Sequence, residues 1–389
     1  MKIDGKTSHN SPSLRFPEFN GEWKNTTLEE CVDFLDGQRK PIKSDDRKGE
    51  KRLYPYYGAS GIIDYIDEYI FDGDYILLSE DGANIIDRNY RVAFIANGKI
   101  WVNNHAHVLQ PHKEMNINFL SEALERINYA IYNTGTTMPK LNQEICRKIN
   151  LNVPSLSEQN KIGNLLYLLN ERIATQNRLI EDLKKLKSAI SKELFSNHLM
   201  FDKKVPLSDF CSMKNGYAFK SSSYEVDGIY NIVTIANVTG DRYISSDCNK
   251  VANMPNDIQI HQHLCVNDIL VSLTGNVGRV SLCREGYYLL NQRVGLLDVS
   301  KTICKEFIYQ ILSTKHFENE MIAKAQGAAQ MNISKSDVES YLIPYTTNLN
   351  VINKVASLLN AYDSQILMGE QLLLDLTRQK QYMLRQMFI

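Results

Sequence analysis

Two histidines spaced by one residue, His105 and His107, have the type and spacing that could hold a metal ion. On an extended strand they would lie on one face, and imidazole nitrogens are ordinary zinc ligands. No third ligand stands beside them, so we expect no metal site. The acids Asp45, Asp46 and Glu50 could serve a nuclease, but they alternate with lysines in a stretch typical of a solvated loop. We therefore expect no catalysis at either place.

Motifs for nucleotide chemistry are missing from the sequence. It contains no GxxxxGK(S/T) phosphate loop and no Asn-Pro-Pro-aromatic segment of the kind found in adenine methyltransferases. A single GxxG at residues 275–278 is too short to predict a nucleotide site. The seven cysteines are odd in number and never spaced as CxxC, which argues against a disulfide scaffold or a zinc ribbon. We expect a cytoplasmic, non-catalytic protein without a cofactor of its own.

A cluster of cations lies between residues 39 and 52, where seven basic residues stand against three acids. Such clusters neutralise phosphates and release counterions from nucleic acid. A solvated loop would have the same composition, and the net charge of the chain, −1, does not by itself indicate a nucleic-acid-binding protein. The candidate phosphate contacts are Arg39, Lys40, Lys43, Arg47, Lys48, Lys51 and Arg52.

Side chains suited to the edges of bases recur in both halves of the chain. Asn and Gln pair with adenine, and Arg pairs with guanine, when a rigid backbone holds them. Any one of them could equally be structural, but as sets at matched places they favour nucleic-acid recognition. The candidates are Asn84, Arg88, Asn103, Asn104 and His105 in the first half, and Thr274, Asn276, Arg279, Asn291, Gln292 and Arg293 in the second.

An internal repeat organises the elements that must position these residues. Residues 165–195 align without a gap to residues 358–388, and both copies space apolar residues three and four apart, as along a helix seam. A lysine interrupts the seam at the same place in each copy, Lys187 and Lys380. We predict helices at about 158–195 and 351–388, each ~50 Å long, that pair antiparallel. Ser155 and Glu158 predict a capping box at the start of the first helix, which the second copy lacks.

Each helix follows a region of short apolar runs broken by Gly, Asn and Asp, which is the pattern of strands and turns. Residues 27–37 align with 206–216, and residues 73–79 resemble 267–272. The predicted fold is α+β, with two β-rich recognition domains that alternate with two long antiparallel-paired helices in a pseudo-two-fold internal repeat. The predicted domains are residues 1–155 and 201–345, and the predicted spacer helices are residues 156–200 and 346–389.

Over essentially its whole length the sequence resembles the specificity (S) subunits of Type I restriction-modification enzymes. LRFPEFNGEW resembles their N-terminal segment, and GTTMPKLN resembles the segment that closes a target recognition domain. Three further stretches resemble one class of such domains. They are YPYYGASGIIDY at residues 54–65, ILLSEDGAN at 76–84 and WVNNHAH at 101–107. The closing segment, residues 135–142, is echoed at residues 327–334.

The resemblance implies that each domain reads one half of a split double-stranded DNA target, and Lys140 in the closing segment joins the candidate contacts. It also implies that the helices bind methyltransferase (M) subunits, of which we expect two, and that restriction (R) subunits join the complex. Sites for S-adenosylmethionine, ATP and Mg²⁺ would lie in these partners, which would methylate adenine and cleave DNA. The helix residues expected to contact partners are Ile173, Ile180, Leu183, Ile190, Ile366, Leu373, Leu376 and Met383.

Three other interpretations remain open. The S subunit of a Type IIB-like system, whose partner fuses methylation and cleavage in one chain, would have the same sequence pattern. A scaffold that joins two binding domains through a coiled coil would bind no DNA in a salt-sensitive manner. A carbohydrate-binding or hydrolytic β-protein is disfavoured, because no carboxylate pair recurs in a comparable context in both halves. We expect no membrane association, since no apolar run approaches the ~20 residues of a membrane span.

Overall fold

The computed structural model describes residues 11–47, 51–326 and 331–389. The chain divides into two compact units, one comprising Met1–Asn177 and Leu372–Ile389 and the other Arg178–Gln371. Each unit holds one β-rich domain and part of each of two long helices. Among the described residues, no helix is both long and apolar enough to cross a bilayer.

The first unit is built on a six-stranded sheet that is antiparallel except where β3 runs parallel to β6. The strand order is β2-β7-β5-β6-β3-β4, and β1 pairs separately with β8. The strands are β1 (Lys24–Thr27), β2 (Val32–Phe34), β3 (Tyr54–Gly58), β4 (Gly61–Ile66), β5 (Phe71–Ser79), β6 (Ala93–Val102), β7 (Ala106–Pro111) and β8 (Asn150–Val153). The helices are α1 (Asn84–Asp87), α2 (Ile117–Glu125), α3 (Gln143–Arg147) and the start of α4 (Leu156–Ser196).

The sequence of β5 is a continuous apolar run rather than an alternating one because the strand lies in the centre of the sheet and is covered on both faces. Ile76 and Leu78 face a cluster that includes Leu120 of α2, while Tyr75 and Leu77 face a second cluster on the opposite side of the sheet. A strand covered on both faces has no polar side. The middle of the sheet is therefore rigid, and it carries the loops at the ends of β5, β6 and β7.

The second unit has two four-stranded sheets, with strand orders β10-β17-β14-β15 and β12-β11-β16-β13, and the separate pair β9-β18. Its strands are β9 (Lys203–Pro206), β10 (Cys211–Asn215), β11 (Tyr230–Val233), β12 (Asn249–Val251), β13 (His263–Leu264), β14 (Ile269–Ser272), β15 (Val280–Leu282), β16 (Tyr288–Leu290), β17 (Val294–Val299) and β18 (Leu342–Tyr345). Its helices are α5 (Lys305–Leu312), α6 (Lys315–Ala325) and α7 (Lys335–Glu339), followed by α8 (Leu349–Gln386).

The two long helices run antiparallel within each unit. In the first unit, Ile162 and Leu166 near the start of α4 pack with Met387 and Phe388 at the end of the chain. In the second unit the relation is reversed: Ile190 near the end of α4 packs against a core cluster that holds residues 352, 355 and 359 of α8. The predicted α+β fold with antiparallel-paired helices and an internal repeat is confirmed. α4 begins at Leu156 and α8 at Leu349, each two residues before the start that the seam spacing predicted, and Leu156 coincides with the predicted domain boundary.

The predicted capping box at α4 is half right. The Glu158 backbone N–H donates to Ser155 Oγ at 3.4 Å, as a cap requires. The Glu158 carboxylate does not return to the cap, because it is buried and accepts two 2.7 Å hydrogen bonds from Arg15. A bidentate guanidinium compensates a buried carboxylate better than one backbone N–H does. The second helix has a different cap, in which Asn348 Oδ1 accepts from the Asn350 N–H at 3.1 Å.

Candidate nucleic-acid interface

A tight turn at the end of the sheet is the centre of the candidate interface in the first unit. It joins β6 to β7 through residues 103–105. The Asn103 N–H donates to the Tyr57 carbonyl at 3.1 Å, and the Glu80 N–H donates to the His105 carbonyl at 2.9 Å. Strands on both sides therefore fix the backbone of the turn. Asn104 is exposed at its tip, and the His105 side chain beside it is half exposed.

The second unit builds the same turn at residues 291–293, between β16 and β17. The Asn291 N–H donates to the Val233 carbonyl at 3.1 Å, and the Leu273 N–H donates to the Arg293 carbonyl at 3.1 Å. The exposed residues here are Gln292 and Arg293. One backbone frame thus presents Asn-His in one unit and Gln-Arg in the other.

A second segment closes each frame. In the first unit the Gly82 N–H donates to the Pro139 carbonyl, and in the second the Gly275 N–H donates to the Met331 carbonyl, both at 3.0 Å. Both glycines have positive φ, +112° and +74°, where a side chain would be strained. The closing segment predicted at residues 135–142 therefore lies against the turn, and it brings the half-exposed Lys140 with it. Of the echo at 327–334, only residues 331–334 are within the described residues.

Asn103 and Asn291 were predicted to contact bases, but their side chains are buried, with 4 % and 8 % exposure. Asn103 Oδ1 accepts from the His105 N–H at 2.8 Å, and Asn291 Oδ1 accepts from the Arg293 N–H at 3.4 Å. These amides stabilise the turn from within, as local side-chain to backbone bonds commonly do. They are positioning residues, and the base-contact candidates are their exposed neighbours.

A buried ion network supports the turn in the first unit. His107 is 1 % exposed; its Nδ1 lies 2.6 Å from Asp36 Oδ2 and its Nε2 lies 2.8 Å from the Leu141 carbonyl oxygen. Burial alone would lower the pKa of His107, but the hydrogen bonds and negative charges of Asp36 and Cys146 together outweigh it and raise the pKa to about 10. The imidazolium donates from both nitrogens. It thereby ties the start of β7 to the closing segment that carries Lys140.

Asp36, Glu80 and His107 place ligand atoms within 4.8 Å of one another, the spacing of a metal site. Arg39 fills this space, because its Nη1 donates to Glu80 at 2.7 Å and its Nη2 lies 3.5 Å from Asp36. A histidine that donates from both nitrogens has no lone pair left for a metal. The donor set does not fit a cation, so the cluster is a structural ion network.

The predicted basic cluster is smaller than its sequence indicates. Arg39 is 13 % exposed and belongs to the buried network, so it is not available to a phosphate. Arg47 lies over the Tyr56 ring and donates to a backbone carbonyl. Arg52 lies 3.8 Å from Asp64 but its side chain stays 62 % exposed. Lys48 lies outside the described residues. The exposed cations that remain as phosphate-contact candidates are Lys40, Lys43, Lys51 and Arg52.

Three other candidates are engaged away from the turns. The Asn84 amide bonds in both directions to the backbone of Tyr90, and the Arg88 guanidinium lies 3.0 Å from the Glu125 carboxylate. Arg279 lies 3.5 Å from Glu318 of α6. Near the second turn, Asn276 is exposed, while Thr274 is half-buried and donates to Asn332 Oδ1 at 3.1 Å.

Sequence reasoning missed two polar residues that line an open cleft at the second turn, Asn332 and Lys335. They share this cleft with Thr274, Gln292 and Arg293. A signal was present, because Asn332 falls inside the echoed closing segment and Lys335 follows it directly. In chemical terms the cleft offers an amide, a guanidinium and an ammonium, which are the donors that base edges and phosphates accept.

Comparison with known proteins identifies what this arrangement belongs to. Residues 20–185 and 202–378 each match the family described as Type I restriction modification DNA specificity domain. The chain belongs to this family.

Individual relatives agree with that assignment. The MjaVIII specificity subunit of Methanocaldococcus jannaschii is 24 % identical over 367 residues, which cover 85 % of this chain and 83 % of that one. S.HindORF215P of Haemophilus influenzae is 35 % identical over 145 residues, only about a third of either chain. The S subunit of a type I system from M. genitalium has the same fold, with a TM-score of 0.71 at 17 % identity, over 97 % of this chain and 99 % of that one.

In this specificity subunit the eight helix residues predicted to contact partners are all buried or half-buried within the chain. Ile180, Ile366 and Leu376 are buried, and the other five, Ile173, Leu183, Ile190, Leu373 and Met383, are half-buried. The less exposed side chains thus follow the seam that the spacing identified. The exposed apolar side chains of the helices are different residues, and they include Leu168, Leu179, Leu186, Met368 and Leu372.

Proposed function

We propose that this specificity subunit reads a bipartite DNA target, with one half-site for each recognition domain. The observation that carries the proposal is the matched pair of turns: one hydrogen-bonded frame, built twice, presents different exposed side chains. A rigid frame with interchangeable donors is what direct readout in a groove requires. Asn104 and His105 would contact one half-site, and Gln292 and Arg293 the other.

Phosphate contacts and base contacts have separate places in this proposal. Lys43, Lys51 and Arg52 are exposed cations outside the turn, where they suit the backbone of DNA. Lys140 and Lys335 lie beside the turns, at an edge where a phosphate would flank the bases. Because the cations are scattered on a chain of net charge −1, we expect modest non-specific affinity and a large contribution of base contacts to target choice.

Methylation and cleavage would be carried out by partner subunits. We propose that two M subunits and further R subunits assemble with the chain in the cytoplasm, and that they bring the sites for S-adenosylmethionine, ATP and Mg²⁺. Exposed apolar residues on the long helices support docking there. Leu179 and Leu186 are seven residues apart, so they share one face of α4, and Leu372 occupies the repeat position of Leu179. These residues replace the buried seam as our candidates for M-subunit contacts.

The test is sequencing of methylated adenines in cells that carry the chain with its M partner. Replacement of Gln292 and Arg293 by Ala should relax specificity in one half of the methylated motif and leave the other half unchanged. Replacement of Asn104 and His105 by Ala should do the converse. If both double variants altered the same half, or altered neither half, the assignment of one turn to each half-site would be wrong.

The non-catalytic role has its own test. The purified chain alone should neither methylate nor cleave DNA, nor hydrolyse ATP, and addition of the M subunit should restore methylation. Turnover by the isolated chain that survives a second affinity purification would contradict the proposal.

A further inference from the structure

A buried polar cluster joins the recognition domain to the helices in the first unit. Its centre is Glu122 of α2, whose side chain is 3 % exposed. Glu122 Oε1 accepts from Arg91 at 2.7 Å, from Asn170 of α4 at 2.9 Å and from Lys380 of α8 at 3.4 Å. Burial alone would raise the pKa of Glu122, but Arg91 and Lys380 outweigh it and lower that pKa. Glu122 is thus an anion that is held by two cations and one amide.

The second unit has a buried cluster at the corresponding place, and its central anion is Asp363 of α8. Asp363 accepts from Lys187 of α4 at 2.6 Å, from Arg242 at 2.7 Å and from the Gln310 amide of α5 at 2.7 Å. The same Gln310 nitrogen donates to Glu306 at 2.7 Å, and Arg242 binds Glu306 through both Nη atoms. Here the anion belongs to the long helix, and the domain helix contributes an amide.

The participating positions are equivalent in the internal repeat. The gap-free alignment of the long helices pairs Asn170 with Asp363 and Lys380 with Lys187. Each cluster therefore takes its lysine from one long helix and its Asn or Asp from the other. The same lysines are the polar interruptions of the two helix seams.

The domain helices α2 and α5 are equivalent as well. When their caps, residues 116 and 304, are superposed in sequence, the fully buried Phe119 matches Phe307 and Glu122 matches Gln310. Acid and amide have exchanged sides between the units. The first unit pairs a domain Glu with a helix Asn, and the second pairs a domain Gln with a helix Asp.

We propose that these two clusters form a matching code that decides which recognition domain each helix pair accepts. A domain with Glu at the position of Glu122 fits the helices that present Asn170. A domain with Gln at that position fits the helices that present Asp363. The code concerns assembly of the chain and does not depend on the DNA that either domain reads.

The cost of a mismatch follows from the distances. Glu in place of Gln310 would put a carboxylate oxygen about where an amide nitrogen now donates to two carboxylates, and like charges at such separation cannot both stay ionised. Gln in place of Glu122 would leave Arg91 and Lys380 around two neutral amides. Removal of one partner from a buried charge cluster is strongly destabilising, because the remaining charge is uncompensated.

The experiment is thermal unfolding of the full chain as E122Q, N170D and the double variant E122Q/N170D. The reciprocal set is Q310E, D363N and Q310E/D363N, and the exposed E171Q on α4 serves as a control. Each single variant should lower Tm by about 5–10 °C. The double variant E122Q/N170D should recover at least half of the summed loss, because it recreates the exchange of acid and amide seen in the other unit. Q310E/D363N should recover a smaller part, because Glu306 remains beside the new carboxylate at position 310. E171Q should leave Tm within about 1 °C of the wild type.

Additive losses in the double variants would overturn the proposal, and so would single variants that unfold like the wild type. If the single variants are insoluble, the soluble yield of the double variants becomes the measurement. Recovered solubility of the doubles supports the code, and doubles as insoluble as the singles contradict it.

Discussion

The two recognition domains share a frame and differ in what surrounds it. In the first, β6 is a continuous ten-residue strand that pairs with β5 and then with β3, so that one six-stranded sheet results. In the second, residues 283–287 interrupt the equivalent path between β15 and β16, and two four-stranded sheets replace one. The turns at 103–105 and 291–293 nevertheless keep matching backbone hydrogen bonds. The frame of the turn is preserved where the sheet behind it is not.

The interior beneath the turns also differs. His107 of the first domain corresponds to Gly295 of the second through the register of β7 and β17 with their neighbours. A Cβ at Gly295 would lie 2.7 Å from Met213 Sδ. In the second domain the Met213 thioether therefore occupies the space that the ion network occupies in the first. An apolar core and a buried ion network thus support equivalent turns. The two solutions should respond differently to mutation and to pH.

Loss of the ion network should give the largest effect. We expect His107→Gln to destabilise the first unit by about 3–5 kcal/mol, because Asp36 and Glu80 would share only Arg39 as a buried cation. Chemical denaturation of the full chain measures this, with His105→Gln at the half-exposed neighbour as the matched control. If both variants lost the same small amount of unfolding free energy, the ion network would not be what supports the turn.

The pH dependence sharpens the same comparison. Because the pKa of His107 is raised to about 10 in the folded chain, its contribution is fully present below the unfolded pKa of about 6.5 and is lost as pH rises towards 10. Between these limits the free energy of unfolding of the wild type should fall by at most about 1.4 kcal/mol per pH unit relative to that of His107→Gln. Urea denaturation of both proteins at pH 7 and pH 9 measures this difference. Parallel pH profiles would assign a neutral histidine to the site.

Base contacts should have a smaller and selective effect. Arg293→Ala should weaken binding to the cognate target by about 1–3 kcal/mol and leave binding to random DNA nearly unchanged, since only the cognate base accepts the guanidinium. Asn104→Ala should behave likewise at the other half-site. Titration of labelled cognate and random duplexes with the chain in complex with its M partner measures both. Equal losses on the two duplexes would reassign the residue to a structural role.

The smallest effect per residue should come from the exposed lysines. Lys43→Ala together with Lys51→Ala should weaken binding to all sequences alike and reduce the slope of log K against log salt by about 1.8, or 0.9 for each lost phosphate contact. Binding of a random duplex at several salt concentrations gives this slope. An unchanged slope would mean that Lys43 and Lys51 do not contact DNA.

The overall architecture was predictable from the seam spacing, which is a local pattern, and from the internal repeat. The helices and the β-rich domains follow from residues close together in sequence, and the antiparallel pairing was inferred from the match between residues 165–195 and 358–388. The role of Arg39 was not predictable, because its partner Glu80 is far away along the chain and meets it only in the folded sheet. The same holds for Glu158, whose capping signal is local but whose dominant partner, Arg15, is not.

The candidate site was predictable in its position more than in its chemistry. The motif at residues 101–107 identified the turn, but exposure separates Asn104 from its neighbour Asn103, and sequence does not encode exposure directly. The exchange of Glu122 and Gln310 was open to detection, since both follow a matched phenylalanine by three residues. The sequence does not show, however, that Asn170 lies beside Glu122 and Asp363 beside Gln310, and these contacts are what make the exchange interpretable.

Exchange of the first recognition domain tests the central claim, two independent readers in one chain, most directly. Residues 1–155 would be replaced by a related domain that keeps Glu at the position of Glu122, and methylated adenines would be sequenced in cells that carry the M partner. With two independent readers, one half of the methylated motif should change to that of the donor while the other half stays the same. A change in both halves, or in neither, would contradict the presence of two independent readers.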